Sequence, residues 1–179
     1  MTEDVIRDIM SSPDRRDAVR GMTISERDEY FMSLAMAIAR ACAHDGEVPV
    51  GAVIIRDGII VSCGANGRER EKNALSHAET NAINAACLSL GGWRLTGTVL
   101  YATLEPCTMC AGAIINAHIP RVVFAARDAS AGAMGSVIRT QSLPLGFKPS
   151  VRICEKFSRE SAAMLREFFT ERRRCKDAP

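Results

Sequence analysis

No apolar run in this 179-residue chain approaches the ~20 residues that a helix needs to cross a bilayer. Residues 1–22 carry Glu3, Asp4, Asp8, Asp14 and Asp17 among their arginines and have no apolar stretch. That pattern fits neither an export signal nor an acid-poor transit peptide, so the cytoplasm is the expected location. Excess charge of one sign is also lacking. A formal net charge of +2 permits a local basic patch for one small RNA but argues against extended coating of phosphates. A disulfide framework is missing too: the cysteines number seven, and Cys42, Cys63, Cys87, Cys154 and Cys175 are scattered as reduced thiols would be. What remains is a chain of one-domain length with 47% hydrophobic residues, enough for a substantial core.

Residues 1–22 are expected to lie outside that domain. Val5, Ile6, Ile9 and Met10 share a helical stripe, but Ser11-Ser12-Pro13 stops it early, so a flexible extension is expected, with the domain proper at 23–179. A helix should then start at a capping box, either Thr23 with Glu26 or Ser25 with Asp28. Phe31, Leu34, Ala35, Ile38, Ala39 and Cys42 follow helical spacing, and Asp45-Gly46 closes the element. Two β-branched runs, Val50–Ile55 and Ile59–Ser62, flank Asp57-Gly58 as a hairpin. A charged loop, Arg68–Lys72, leads to a helix from His77 to about Leu90, ended by Gly91-Gly92. Thr98–Thr103 reads as a third strand, Cys107–Ala117 as a helix, Arg121–Ala126 and Val151–Glu155 as further strands, and a last helix is capped by Ser158. Strands alternating with helices indicate a layered α/β domain with parallel pairs.

The chemistry-bearing residues sit in two places. Cys107 and Cys110, three apart in Pro106-Cys107-Thr108-Met109-Cys110, share one face of a helical turn and can reach one metal. Pro106 suits a first helical position. The sulfurs then lie at a helix N-terminus, which favours negative charge. His77 adds a ligand of the type zinc prefers, and no convincing fourth protein ligand is found. A structural zinc closes its tetrahedron with side chains, whereas a catalytic one leaves a position for water. Glu79, two residues past His77, is placed to move that water's protons. Positions i and i+2 diverge inside a helix, so His77 and Glu79 share a site only at a helix entrance. His44 and His118, without such company, read as structural.

The pattern His77-Ala78-Glu79 followed by Pro106-Cys107…Cys110 is the signature of zinc-dependent nucleobase deaminases. The segments Val48–Ile54, Thr103–Ile115, Arg121–Ser136 and Phe168–Arg174 make residues 25 to 175 resemble the bacterial tRNA adenosine deaminases. That resemblance implies a three-layer α/β/α fold of the cytidine-deaminase kind, with about five strands in a mixed sheet. It implies one Zn²⁺ per subunit on His77, Cys107 and Cys110, with Glu79 as the catalytic proton carrier. It also implies a homodimer acting on a tRNA anticodon stem-loop, turning the wobble adenosine into inosine. Asn66, Ala78 and Val50 would face the base, and Asp128, Phe169, Arg172 and Arg173 the RNA. Judged on residues alone, Asn66-Gly67 is only a turn and the closing arginines only complement a helix end. The chain departs from the family pattern at Ser130 and Ala131. Two other readings stay open: a deaminase of a free base or nucleotide such as guanine or cytosine, and a non-catalytic zinc module that binds RNA or a protein.

Overall fold

The computed structural model describes residues 1–176. Helix α2 (Ile24–His44) opens on the capping box of Thr23 and Glu26: the Glu26 N–H donates to Thr23 Oγ1, and the Thr23 N–H donates to the Glu26 carboxylate. The other expected cap residue, Asp28, is buried instead. Its carboxylate accepts both terminal nitrogens of Arg121, at 2.8 and 2.6 Å, and the Tyr101 hydroxyl at 2.9 Å. Strands β1 (Gly51–Arg56) and β2 (Ile59–Ala65) form the hairpin, and Asp57 and Gly58 both take positive φ, 51° and 78°, as a type I′ turn demands. The charged segment after β2, expected as a loop, winds into the one-turn helix α3 (Arg68–Glu71).

Helix α4 (Ala78–Leu90) ends on Gly91 in the left-handed conformation. Strand β3 (Thr98–Leu104), helix α5 (Thr108–Asn116), strands β4 (Arg121–Ala126) and β5 (Ser150–Ile153), and helix α6 (Glu155–Lys176) complete the order. Several boundaries differ from expectation: β2 runs on to Ala65, and β5 is Ser150–Ile153 and not Val151–Glu155. Cys107 is the N-cap of α5, so Pro106 lies one position outside the helix and not at its first residue. Ser158 is inside α6, because the helix begins at Glu155 as soon as the chain leaves β5.

The five strands form one sheet in the order β2-β1-β3-β4-β5. β1 pairs antiparallel with β2 and with β3, while β3, β4 and β5 run parallel. Alternating residues bury both faces, the pattern of a sheet covered on each side. Ile54, Leu100, Val122 and Phe124 pack against Ala82 and Ala86 of α4 and Ala111 and Ile114 of α5. Val53, Ile55, Tyr101 and Val123 pack against Phe31, Met32, Ala35 and Ile38 of α2, with Phe157 and Met164 of α6 alongside. The result is the three-layer α/β/α architecture that the resemblance implied.

Residues 1–22 differ most from expectation. Thr2–Ser11 forms helix α1, and Ile9 and Val19 are buried in the core on the α2 side. The stripe of Val5, Ile6, Ile9 and Met10 is what packs there. Pro13 does stop the helix, but its carbonyl then accepts the Ile60 N–H at 2.8 Å, and the Arg15 N–H donates to the Gly58 carbonyl at 2.9 Å. The segment therefore lies against the outer edge of β2, where backbone groups would otherwise be unpaired. Ile9→Ala should cost roughly 2 kcal/mol of stability, near the lower end for a buried aliphatic truncation. Thermal melting of the variant measures this; an unchanged midpoint would mean that the segment contributes nothing to the folded state.

Candidate active site

The topology brings separate stretches of chain to one sheet edge. Strands β3, β4 and β5 all end there, at Leu104, Ala126 and Ile153. Because β1 is antiparallel to β3 and to β2, β1 begins at that edge and β2 finishes there, with Gly51 paired to Ala65. Helices α4 and α5 start at the same edge, so their N-termini point at common ground. His77 is the N-cap of α4 and Cys107 the N-cap of α5. Glu79 is thus only the second residue of α4, still in its irregular first turn, and can share the site with His77.

His77 Nδ1 lies 3.6 Å from Cys107 Sγ and 3.5 Å from Cys110 Sγ. A tetrahedral zinc with Zn–S of about 2.3 Å and Zn–N of about 2.0–2.1 Å separates such atoms by roughly 3.6 Å. All three ligand atoms lie within 4.8 Å of one another. Both the donor set and its spacing therefore fit zinc, and among the described residues no fourth His, Cys, Asp or Glu joins the group. The sulfurs are electrostatically unlike. A hydrogen bond from Cys110, helped by His77, brings the Cys107 thiol down to about 4, whereas its thiolate neighbour and burial push Cys110 up. A divalent cation between them would displace the proton Cys110 retains. Glu79 is buried, and that burial, reinforced by the Cys107 charge, raises its carboxyl above the usual range.

His77, Glu79 and Cys107 line a cleft of about 570 Å³. Val50, Asn66 and Leu104 form part of its lining, and Leu165 and Phe169 of α6 cover one side. A family model for the cytidine and deoxycytidylate deaminase zinc-binding region matches residues 25–126. The tRNA-specific adenosine deaminase of Bacillus subtilis (strain 168) is 38% identical over 152 residues, 85% of this chain and 94% of the relative. That of Agrobacterium fabrum (strain C58 / ATCC 33970) is 41% identical over 144 residues, 80% of this chain and 95% of the relative. The chain belongs to the tRNA-specific adenosine deaminase family. A solved tRNA:A34 deaminase, studied for A-to-I editing at the wobble position of transfer RNA, superposes with a TM-score of 0.73 at 40% identity, covering 76% of this chain and 99% of that one. A guanine deaminase from Bacillus subtilis is similar at a TM-score of 0.55 and 32% identity, over 75% of this chain and 92% of that one.

Within this deaminase the expected substrate residues fall into three groups. Val50, Asn66, Asp128 and Phe169 line the cleft. Ala78, expected to offer its backbone to the base, is fully buried and is not part of the lining. Arg172 and Arg173 lie about a turn of α6 beyond Phe169, where Arg172 pairs with Glu69 at 3.4 Å and Arg173 bonds Thr170 Oγ1 at 3.3 Å. Asp128 is already engaged. Burial alone would raise its carboxyl, but hydrogen bonds from the Ser130 N–H and hydroxyl and the Ala131 N–H outweigh it and hold it below the ordinary value. Of these bonds only the Ser130 hydroxyl depends on a departure from the family pattern; the two N–H groups are main chain.

Sequence reasoning missed two buried acids, Glu47 and Glu105. Glu105 accepts hydrogen bonds from the Asp128, Met134 and Ser136 N–H groups and from the Ser136 hydroxyl, fastening the loop after β4 to the site. Its place immediately before Pro106-Cys107 was the available signal. The arginines Arg68, Arg127 and Arg166 also line the cleft, and among the described residues none has a carboxylate partner.

Two outcomes are expected from this geometry. Purified protein should carry about one zinc per chain by elemental analysis, and Cys110→Ala should reduce it to background, because two ligands rarely retain the ion. The second concerns Gly64. A Cβ there would sit 2.1 Å from the Ala78 carbonyl oxygen and 2.5 Å from the Ala82 nitrogen, both backbone of α4. Gly64→Ala must push the first turn of α4 outward, costing about 1–3 kcal/mol and weakening zinc retention. Wild-type melting and zinc content in that variant would refute the packing account.

Proposed function

We propose that this protein hydrolyses adenosine to inosine at the wobble position of a tRNA anticodon. The observation that carries the reading is a buried carboxylate, Glu79, beside a three-ligand zinc set on a cleft. His77, Cys107 and Cys110 would hold the zinc, which when bound would supply a Lewis acid able to bring a water's pKa from 15.7 toward about 7.

The protein's own groups do the rest. Glu79 takes a proton from the attacking water and delivers it to N1 of adenine as C6 becomes tetrahedral. The proton of the new C6 hydroxyl then passes through Glu79 to the amino group, the C6–N6 bond breaks as C6=O forms, and ammonia leaves. Adenosine and water give inosine and ammonia, so the balance closes. The raised affinity of Glu79 for protons suits a group that must both accept and return one. Asn66 and Val50 would hold the base in this reading, and Phe169 offers a ring at the entrance for stacking by a neighbouring base. The target nucleotide must leave its stack to reach Glu79, and an unpaired anticodon loop makes that inexpensive.

A polynucleotide substrate is favoured over a free base by the rim. Of the charged side chains that line the cleft, the exposed ones are Arg68, Arg127 and Arg166, whereas the acids Glu79 and Glu105 are buried and Asp128 is half-buried. Such a patch suits a few phosphates of one small RNA. A homodimer working in the cytoplasm on an anticodon stem-loop completes the reading, by likeness to the family.

The test incubates the zinc-loaded protein with an adenosine-bearing anticodon stem-loop and, separately, with free adenosine, cytosine and guanine. Inosine and ammonia should come from the stem-loop alone. Glu79→Ala should keep its zinc and lose at least about 10³-fold in kcat, the range for removing a proton-transfer group. Guanine turnover with an inert stem-loop would replace this reading with a free-base deaminase. Retained zinc with no turnover anywhere would leave a binding module.

A further inference from the structure

Glu47 stands in the turn between α2 and β1 with 3% of its surface exposed. Its carboxylate faces three N–H donors. Asn66 Nδ2 donates at 3.0 Å and the Glu69 N–H at 3.4 Å to one oxygen, and the Arg70 N–H donates at 2.6 Å to the other. The acceptor thus ties a cleft-lining side chain, Asn66, to the helix that begins with the cleft-lining Arg68. A carboxylate only accepts, so the amide of Asn66 has one favourable orientation, with its nitrogen toward Glu47. The Asn66 main chain is pinned separately, its N–H donating to the Val50 carbonyl at 3.1 Å. With backbone and amide plane both fixed, the carbonyl oxygen and second amide hydrogen of Asn66 are left for a base. An amide free to flip would exchange donor for acceptor at that point.

We propose that Glu47 is a positioning residue for base recognition: through Asn66 it fixes which edge of the amide meets the substrate. The inference rests on the deaminase reading, in which Asn66 faces the base. Glu47 touches neither the zinc ligands nor Glu79, so its influence belongs to substrate placement and not to metal retention. Anchoring one groove-facing amide by a buried acceptor is a second layer of organisation of the kind that keeps a reacting base aligned. The Glu47→Gln variant is informative because it keeps the shape. Its new side-chain amide keeps its oxygen on the Arg70 N–H, the shortest of the three bonds at 2.6 Å, and so turns its own NH₂ toward the Asn66 amide nitrogen, where two donors oppose and the Asn66 amide loses its fixed orientation.

The experiment is a double-mutant cycle on zinc-loaded protein: wild type, Glu47→Gln, Asn66→Ala and the pair, each measured for kcat/KM on the stem-loop and for zinc content. Glu47→Gln should lower kcat/KM about tenfold, the scale of one lost buried hydrogen bond, with zinc unchanged. In the Asn66→Ala background the same change should have no further effect, because the group it orients is gone. Multiplying losses in the pair would overturn the proposal and make Glu47 a merely structural residue, as would a Glu47→Gln variant equal to wild type. If Glu47→Gln does not fold, Glu47→Asp, which keeps the charge but withdraws it by one methylene, replaces it in the cycle with the same two outcomes. An inert wild type on the stem-loop is a failure of the tRNA reading alone. The cycle then runs on whichever free base the wild type deaminates.

Discussion

Three ligand atoms on two helices must come within a few ångströms of one point, and most of the architecture follows from that requirement. Neither helix can supply the set alone: His77 caps one and the cysteine pair occupies the first turn of the other. Convergence needs both N-termini at the same sheet edge and both helix axes close to the sheet. The sheet satisfies the first need, because β1 runs antiparallel to both β2 and β3, so those two strands end at one edge, where α4 and α5 begin. Small residues satisfy the second. Ala82 and Ala86 of α4, and Ala111 of α5, are fully buried against the strands, and Gly64 lets the α4 backbone approach β2 more closely than any side chain would allow.

Buried acids give this fold its precision elsewhere. Asp28, Glu47, Glu79 and Glu105 are each nearly sealed from solvent, yet they meet different company. Asp28 sits between Arg121 and Tyr101 and locks α2 to the far end of the sheet. Glu47 and Glu105 accept from main-chain N–H groups, Glu47 holding α3 and Glu105 the loop after β4. Glu79 lies by the metal-site residues, and its burial raises its carboxyl above the usual range, which suits the proton-carrying role proposed for it.

The motif at positions 77–79 and 106–110 was legible because metal ligation fixes residue type and spacing at once. The hairpin was legible because Asp57-Gly58 meets a backbone demand that few other pairs meet. The elements that misled were those whose state depends on a distant partner. Val5, Ile6, Ile9 and Met10 formed a visible stripe, but too short to stand alone, and nothing local indicated that α2 would cover it. Ser158 resembled a cap, yet α6 starts at Glu155 because β5 delivers the chain there. Asp28 resembled a capping residue until Arg121, 93 positions away, claimed it.

The sequence alone determined the hairpin, the alternation of strands and helices, and the two motifs His77-Ala78-Glu79 and Cys107…Cys110, since each is written in residues a few positions apart and answers to local geometry or to ligand chemistry. Tertiary structure decided which residues share the cleft. It brought Val50, Asn66, Arg127 and Phe169 to one edge, set Arg172 and Arg173 beyond it, and gave Glu47 and Glu105 the donors that define their work. Those relations join segments tens of residues apart, and only strand order and helix packing could fix them.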